Sequence, residues 1–140
     1  MAAITPIGND IVRNNTAERI NAEIDRQTAA NLAHFGSQSE TVIRARMEQL
    51  DKEWDIERTL ELNAATIAFA GVLLSATMGK KWLLLPAIVT GFLAQHAIQG
   101  WCPPLPVFRY FGIRTRKEID QEKLALQEIL EQRNAHQMVD

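Results

Sequence analysis

The sequence predicts an all-α fold: a membrane-embedded two-span helical hairpin flanked by N-terminal and C-terminal amphipathic cytoplasmic helices. Three observations carry that expectation. Between Leu62 and Phe108, 47 residues, the only charged side chains are Lys80 and Lys81, while the other 93 residues hold 30. Two apolar runs of 17 residues, Leu62–Met78 and Trp82–Ile98, are separated only by Gly79-Lys80-Lys81. The polar segments on either side repeat their apolar residues at helical spacing.

Residues 1–14 read as a flexible tail, because Pro6, Gly8, Asn9 and Asn14 favour turns over helix. The segment 15–61 reads as amphipathic helix. Asn15 or Thr16 is the expected cap of its first helix, and Ile20, Ile24, Leu32 and Phe35 line one face. Gly36 is the expected stop. Ser37 and Glu40 have capping-box spacing, and Ile43, Met47, Leu50 and Trp54 then form a coiled-coil-like seam. Nothing obvious interrupts the chain from Glu40 to Met78, so the span is expected to continue this polar helix.

The hairpin is placed at 62–101. A run of 17 residues makes roughly 26 Å of helix, short for a bilayer core of ~30 Å; extension of the second run to Trp101 gives 20 residues and removes the shortfall. The segment 102–114 carries Pro103, Pro104 and Pro106 and reads as an extended or kinked strap at the bilayer surface. Trp82, Trp101, Phe108 and Tyr110 are the expected interface anchors, since flat amphipathic rings collect at that depth. The segment 115–140 opens with a second capping box, Thr115 to Glu118. It continues as an amphipathic helix from about Arg116 to Gln132, with Ile119, Leu126, Ile129 and Leu130 on one side. Near the termini-side ends of the spans lie Lys52, Arg58, Arg109, Arg114, Arg116 and Lys117, against Lys80 and Lys81 at the tip. That asymmetry places both termini in the cytoplasm. The start Met1-Ala-Ala-Ile-Thr-Pro6 lacks a basic and an apolar region of signal-peptide type, so insertion is expected to rest on the internal helices.

Composition narrows the function classes. A chain of 140 residues makes one domain, and a net charge of −2 does not fit a globally basic nucleic-acid binder. A single cysteine, Cys102, permits neither an internal disulfide nor a four-cysteine zinc site. No phosphate loop, Ser-His-Asp set or zincin motif is present, and the acidic residues show no sign of convergence. No cofactor, metal or catalytic residue is expected.

The residues Gly100-Trp101-Cys102-Pro103 followed by Phe111-Gly112-Ile113-Arg114-Thr115 resemble the signature of a small two-helix bacterial inner-membrane family of unknown function, also found fused to rhodanese modules. Ile56-Glu57-Arg58 and Gly71 fit the same pattern, and the resemblance covers roughly Trp54 to Lys117. It departs in the Pro-Leu-Pro-Val insertion after Cys102-Pro103. The resemblance implies a membrane hairpin with cytoplasmic termini and supplies no activity. A rhodanese-type persulfide loop does not fit: Pro103, Pro104 and Pro106 have no N–H to give.

Candidate site residues follow from what a membrane makes costly. Asn63, His96 and Gln99 are intramembrane polar groups. They read either as an Asn63–His96 or Asn63–Gln99 bond across the hairpin, or as a proton, anion or metal site. Gly71, Ser75 and Gly91 are helix-packing positions, with Gly71 expected opposite Gly91. Cys102 reads as a packed thiol or as a site of redox or sulfur chemistry, although a helix C-terminus opposes its ionisation. The expected function is a non-enzymatic integral membrane anchor or scaffold acting through helix–helix association. Its expected partners are the lipid bilayer and either a second copy or another membrane or cytoplasmic protein, with no nucleic acid. Three other readings stay open: a small oligomeric transporter or channel for a sulfur-containing or other anion, a thiol relay through Cys102, and a soluble helical bundle with a very apolar hairpin, which runs of 17 residues permit.

Overall fold

The computed structural model describes residues 8–138, and all regular structure among them is helical. The order is α1 (Ile11–Asn14), α2 (Glu18–Gly36), α3 (Glu40–Lys52), α4 (Ile56–Met78), a 3-10 turn (Lys80–Leu83), α5 (Leu84–Gln99), α6 (Leu105–Tyr110) and α7 (Arg116–Gln137). Helices α4 and α5 pack side by side as a hairpin. Helices α2, α3 and α7 pack against one another as a three-helix base, and α6 lies under α4. The 23 residues of α4 make roughly 34 Å of helix. Two helical segments, that ending in Met78 and the 20 residues Lys80–Gln99, are long and apolar enough to cross a membrane.

The base holds the seams read from the sequence. Ile43, Leu50, Ile119, Leu126 and Leu130 form one buried cluster, covered by Leu32, Phe35, Met47 and Ile129. Each fully buried aliphatic chain of this kind contributes roughly 1.5–3 kcal/mol. The seams of α3 and α7 are thus spent on each other within one chain. Trp54 is not part of them: it is exposed, and the Arg58 guanidinium lies over its ring at 4.4 Å. A second cluster, Val12, Ile56, Leu60, Cys102 and Leu105, joins the base to the foot of the hairpin.

Several local expectations are corrected. Residues 1–7 lie outside the described residues, but 8–14 include α1, whose first N–H groups are capped by Asp10 Oδ1 at 3.1 Å. Helix α2 begins at Glu18 rather than at Asn15 or Thr16. Those two side chains serve other groups: Asn15 Nδ2 donates to Gln99 O at 2.9 Å, and Thr16 Oγ1 donates to Val12 O at 2.8 Å. Ser39, not Ser37, precedes α3, and no side chain caps it. The chain from Glu40 to Met78 is two helices, because Glu53 is extended and Asp55 opens α4 by accepting from Arg58 N at 2.8 Å. The prolines after Cys102 do not prevent a helix. Pro104 and Pro106 fall at the cap and first turn of α6, where a missing N–H costs nothing. Thr115 and Glu118 form the full reciprocal capping box, whereas Ser37 donates to His34 O and forms none with Glu40.

Gly100 is required twice over. It ends α5 in the left-handed region with φ 71°, and a Cβ there would lie 2.8 Å from the Ile11 backbone.

Candidate functional site

The junction between base and hairpin is built from charge. Arg109, on α6, is fully buried. Its Nη1 and Nη2 donate to the two Glu118 oxygens at 2.6 and 2.7 Å. Its remaining bonds go to Thr16 Oγ1, Asn21 Oδ1 and Ile113 O at 3.1, 2.9 and 3.1 Å. Glu118 also accepts from Arg13 Nη1 at 2.9 Å and from Thr115 N at 2.8 Å. Burial alone would push the Glu118 carboxyl up. Arg109, the Thr115 N–H and Arg13 outweigh it and hold the group below the usual carboxylate range.

One turn along α7, Glu122 is likewise buried and accepts from Arg114 Nη1 at 2.5 Å and Arg46 Nε at 2.9 Å. Arg114 in turn clamps Glu53 with Nε and Nη2 at 2.8 and 2.7 Å. Arg116 binds Asp55 Oδ2 and the Glu53 carbonyl at 2.7 and 3.1 Å, and Ile56 N donates to Arg114 O at 2.9 Å. The break between α3 and α4 is therefore pinned to the start of α7. Acidic residues do converge, contrary to expectation, and they converge on arginines. Glu118 and Glu122 are spaced i, i+4 on the same side of α7 as Ile119 and Leu126. That mixture of charge with a packing stripe was the available signal.

The structure separates the polar hairpin candidates. Asn63 Nδ2 donates to Thr59 O at 2.8 Å on its own helix, and Gln99 Oε1 accepts from Gln95 Nε2 at 3.3 Å. The expected bond across the hairpin is not formed. Both side chains satisfy themselves locally, which costs no second helix. His96 is buried with its Nδ1 unpartnered. It lines a cavity of about 630 Å³ between α1, α4, α5 and the start of α7. Asn63 and Cys102 line a different, apolar cleft of about 450 Å³ with Phe92 and Phe108. Among the described residues no group of three or more His, Cys, Asp or Glu is placed to hold a metal.

Cys102 is buried in the second cluster, and burial pushes its thiol up, away from the reactive thiolate. Gly71 is buried: a Cβ there would meet Pro86 Cδ at 2.5 Å. Its partner is thus Pro86, not Gly91, which has open space around it. Ser75 donates to Val72 O at 2.7 Å on its own helix. Of the aromatic candidates, Tyr110 is exposed, whereas Trp101 and Phe108 turn inward onto the second cluster. Trp82 sits in the 3-10 turn at the hairpin tip with Nε1 buried and unpartnered. No protein-family model matches the chain, and no curated protein or solved structure matches it.

Proposed function

We propose that the chain is a non-enzymatic membrane anchor and scaffold. In this reading, α4 and α5 lie in the bilayer and the three-helix base stands in the cytoplasm at the inner face of a bacterial membrane. The carrying observation is the surface of the hairpin. In the most apolar stretch of each spanning segment only 11% and 6% of positions are buried, and Phe69, Leu84 and Ile98 stand open on it. Soluble proteins rarely leave so continuous an apolar surface uncovered. The polar groups of the hairpin match that solvent. Thr66, Ser75, Thr77 and Thr90 all donate to carbonyls of their own helix, as a lipid environment demands. The orientation rests on Lys52, Arg58, Arg116 and Lys117 beside the base, against Lys80 and Lys81 at the tip. The resemblance to the two-helix inner-membrane family points the same way.

The seams of the base are used internally, so association with a second copy or a membrane partner falls to the hairpin, where Gly91 leaves its backbone uncovered. The test is to express the chain, wash isolated membranes with carbonate and crosslink in native membranes. Retention with a self-crosslink or one discrete partner is expected. Release into the wash overturns the membrane reading, and retention without any crosslink overturns the scaffold reading.

A further inference from the structure

The cavity beside His96 is lined by buried polar atoms without partners. Glu57 Oε2 and His96 Nδ1 are both buried and without partners, and both residues line it. His96 is 8% exposed. Glu61, one turn above Glu57 on α4, lines it as well and makes no ion pair among the described residues. An unpartnered buried polar atom costs about 1–3 kcal/mol. Glu57 Oε2 is an acceptor, and His96 Nδ1 is one in the Nε2–H tautomer, so in that tautomer the cavity calls for a ligand that brings N–H groups. On the opposite wall stands Lys117, whose ammonium contacts the Asn9 carbonyl oxygen and no carboxylate among the described residues. Arg116 lies beside it. Ile11, Leu93 and Ala97 complete an apolar flank. At about 630 Å³ the cavity falls within the usual range of roughly 300–1,000 Å³ for small-molecule sites.

We propose that this cavity binds the headgroup of an aminophospholipid, phosphatidylethanolamine. The proposal rests on the membrane reading above. Glu57 and Glu61 are the last carboxylates before the apolar run Leu62–Met78, and His96 lies one turn before the end of α5. The cavity therefore sits at the depth of the lipid headgroups. A primary ammonium carries N–H donors enough for Glu57 Oε2 and His96 Nδ1, and the Glu61 carboxylate adds negative charge to the cavity wall. The adjoining phosphodiester faces Lys117, with Arg116, already held by Asp55, beside it, and the acyl chains leave along the exposed apolar flank of α5. A choline headgroup has no N–H and cannot satisfy the two buried acceptors. A glycerol headgroup leaves the carboxylates without a cation. A metal ion is disfavoured because the acidic groups and His96 do not converge as ligands.

The test uses the full chain, purified in detergent, delipidated and offered equal amounts of phosphatidylethanolamine, phosphatidylcholine and phosphatidylglycerol with the same acyl chains. Retained lipid is read by native mass spectrometry. The ethanolamine lipid is expected to exceed each of the others about tenfold, a difference well within what two charge-assisted bonds supply. Glu57→Gln with Glu61→Gln is expected to bring the three lipids level, with helicity by circular dichroism unchanged. Should that variant not fold, the comparison of ethanolamine with choline lipid on the unaltered chain decides alone. Equal retention of those two overturns the proposal, as does preference surviving intact in a folded double variant. Displacement of the lipid by equimolar soluble O-phosphoethanolamine also overturns it, since the site would then serve a free metabolite. Retention in carbonate-washed membranes without ethanolamine preference removes this inference and leaves the anchor reading standing. Release from the membranes removes both.

Discussion

The hairpin and the base solve opposite problems with inverted surfaces. In the hairpin, apolar side chains face outward and the hydroxyls of Thr66, Ser75, Thr77 and Thr90 turn back onto their own helices. In the base, arginines and glutamates are drawn inside and aliphatic side chains fill the space around them. An ion pair such as Arg109–Glu118 survives burial because every guanidinium nitrogen has an acceptor and both carboxylate oxygens have donors. The hairpin is packed where Gly71 of α4 meets Pro86 of α5. The junction is held by a bonded ionic network that ties α6 and the start of α4 to α7.

The largest break in that comparison is Arg109→Met. It leaves Glu118 buried with Arg13 as its remaining cation, and uncompensated buried charges of this kind cost about 3–5 kcal/mol. Thermal unfolding followed by circular dichroism in detergent is expected to show the base melting far earlier. Arg109→Met combined with Glu118→Leu removes both charges and is expected to recover most of the loss. A double variant as unstable as the single one would show that the network positions the helices through its neutral bonds to Asn21 and Thr16.

The corresponding break in the hairpin is Gly71→Leu. Even a Cβ at that position collides with Pro86 Cδ, and a collision in a packed interface costs about 1–3 kcal/mol. Cysteine pairs placed on α4 and α5 near this level should crosslink less efficiently, while the base keeps its melting temperature. Gly91→Ala meets open space and is expected to change neither. Crosslinking between copies is the readout expected to weaken in Gly91→Ala if the proposed association runs through that face.

Acid offers a milder, graded probe of the junction alone. The Glu118 carboxyl titrates below the usual carboxylate range when folded. Its contribution is therefore complete above its unfolded value, near 4.5, and is lost as pH falls through the lower folded value. Stability should decline on the acid side of that point, and Glu118→Gln should flatten the decline. The urea midpoint measured across that pH range checks it, and an unchanged slope in Glu118→Gln would show that Glu118 does not carry the acid sensitivity.

The two regions were also unequally legible. The helical hairpin and the seams followed from the distribution of apolar residues alone, because uninterrupted apolar runs and helical spacing are both visible in the sequence. Ile43, Leu50, Ile119 and Leu126 lie in the core where their periodicity puts them. The ionic junction was legible only in the placing of Glu118 and Glu122 on the packing face of α7; its arginines were not, because Arg109 and Glu118 meet through folding rather than spacing, and a basic residue beside an apolar run reads equally well as a topology signal. The break at Glu53 was hidden for a related reason. It is held by Arg114 and Arg116, from the far end of the chain, although Asp55 is a good cap by composition. The prolines misled by number, since position within the first turn of α6 decides their cost. His96 was recognised as costly, but its Nδ1 is left unpartnered in the cavity it lines with Glu57, and Asn63 bonds its own helix instead.

Cys102 lies where the two regions touch, and it gives the smallest expected effect. Its side chain packs with Val12, Ile56, Leu60 and Leu105, and the thiol is held toward its neutral form by that burial. Cys102→Ala removes one sulfur from this cluster and is expected to cost about 1 kcal/mol, comparable to one buried methylene and its cavity. Iodoacetamide should label the folded protein far more slowly than the protein in denaturant, with the gap persisting as pH rises toward 9. Rapid labelling of the folded chain at neutral pH would mean that the cluster opens at this point. The thiol relay would then become the better reading of this residue, and the junction would be a moving part rather than a fixed one.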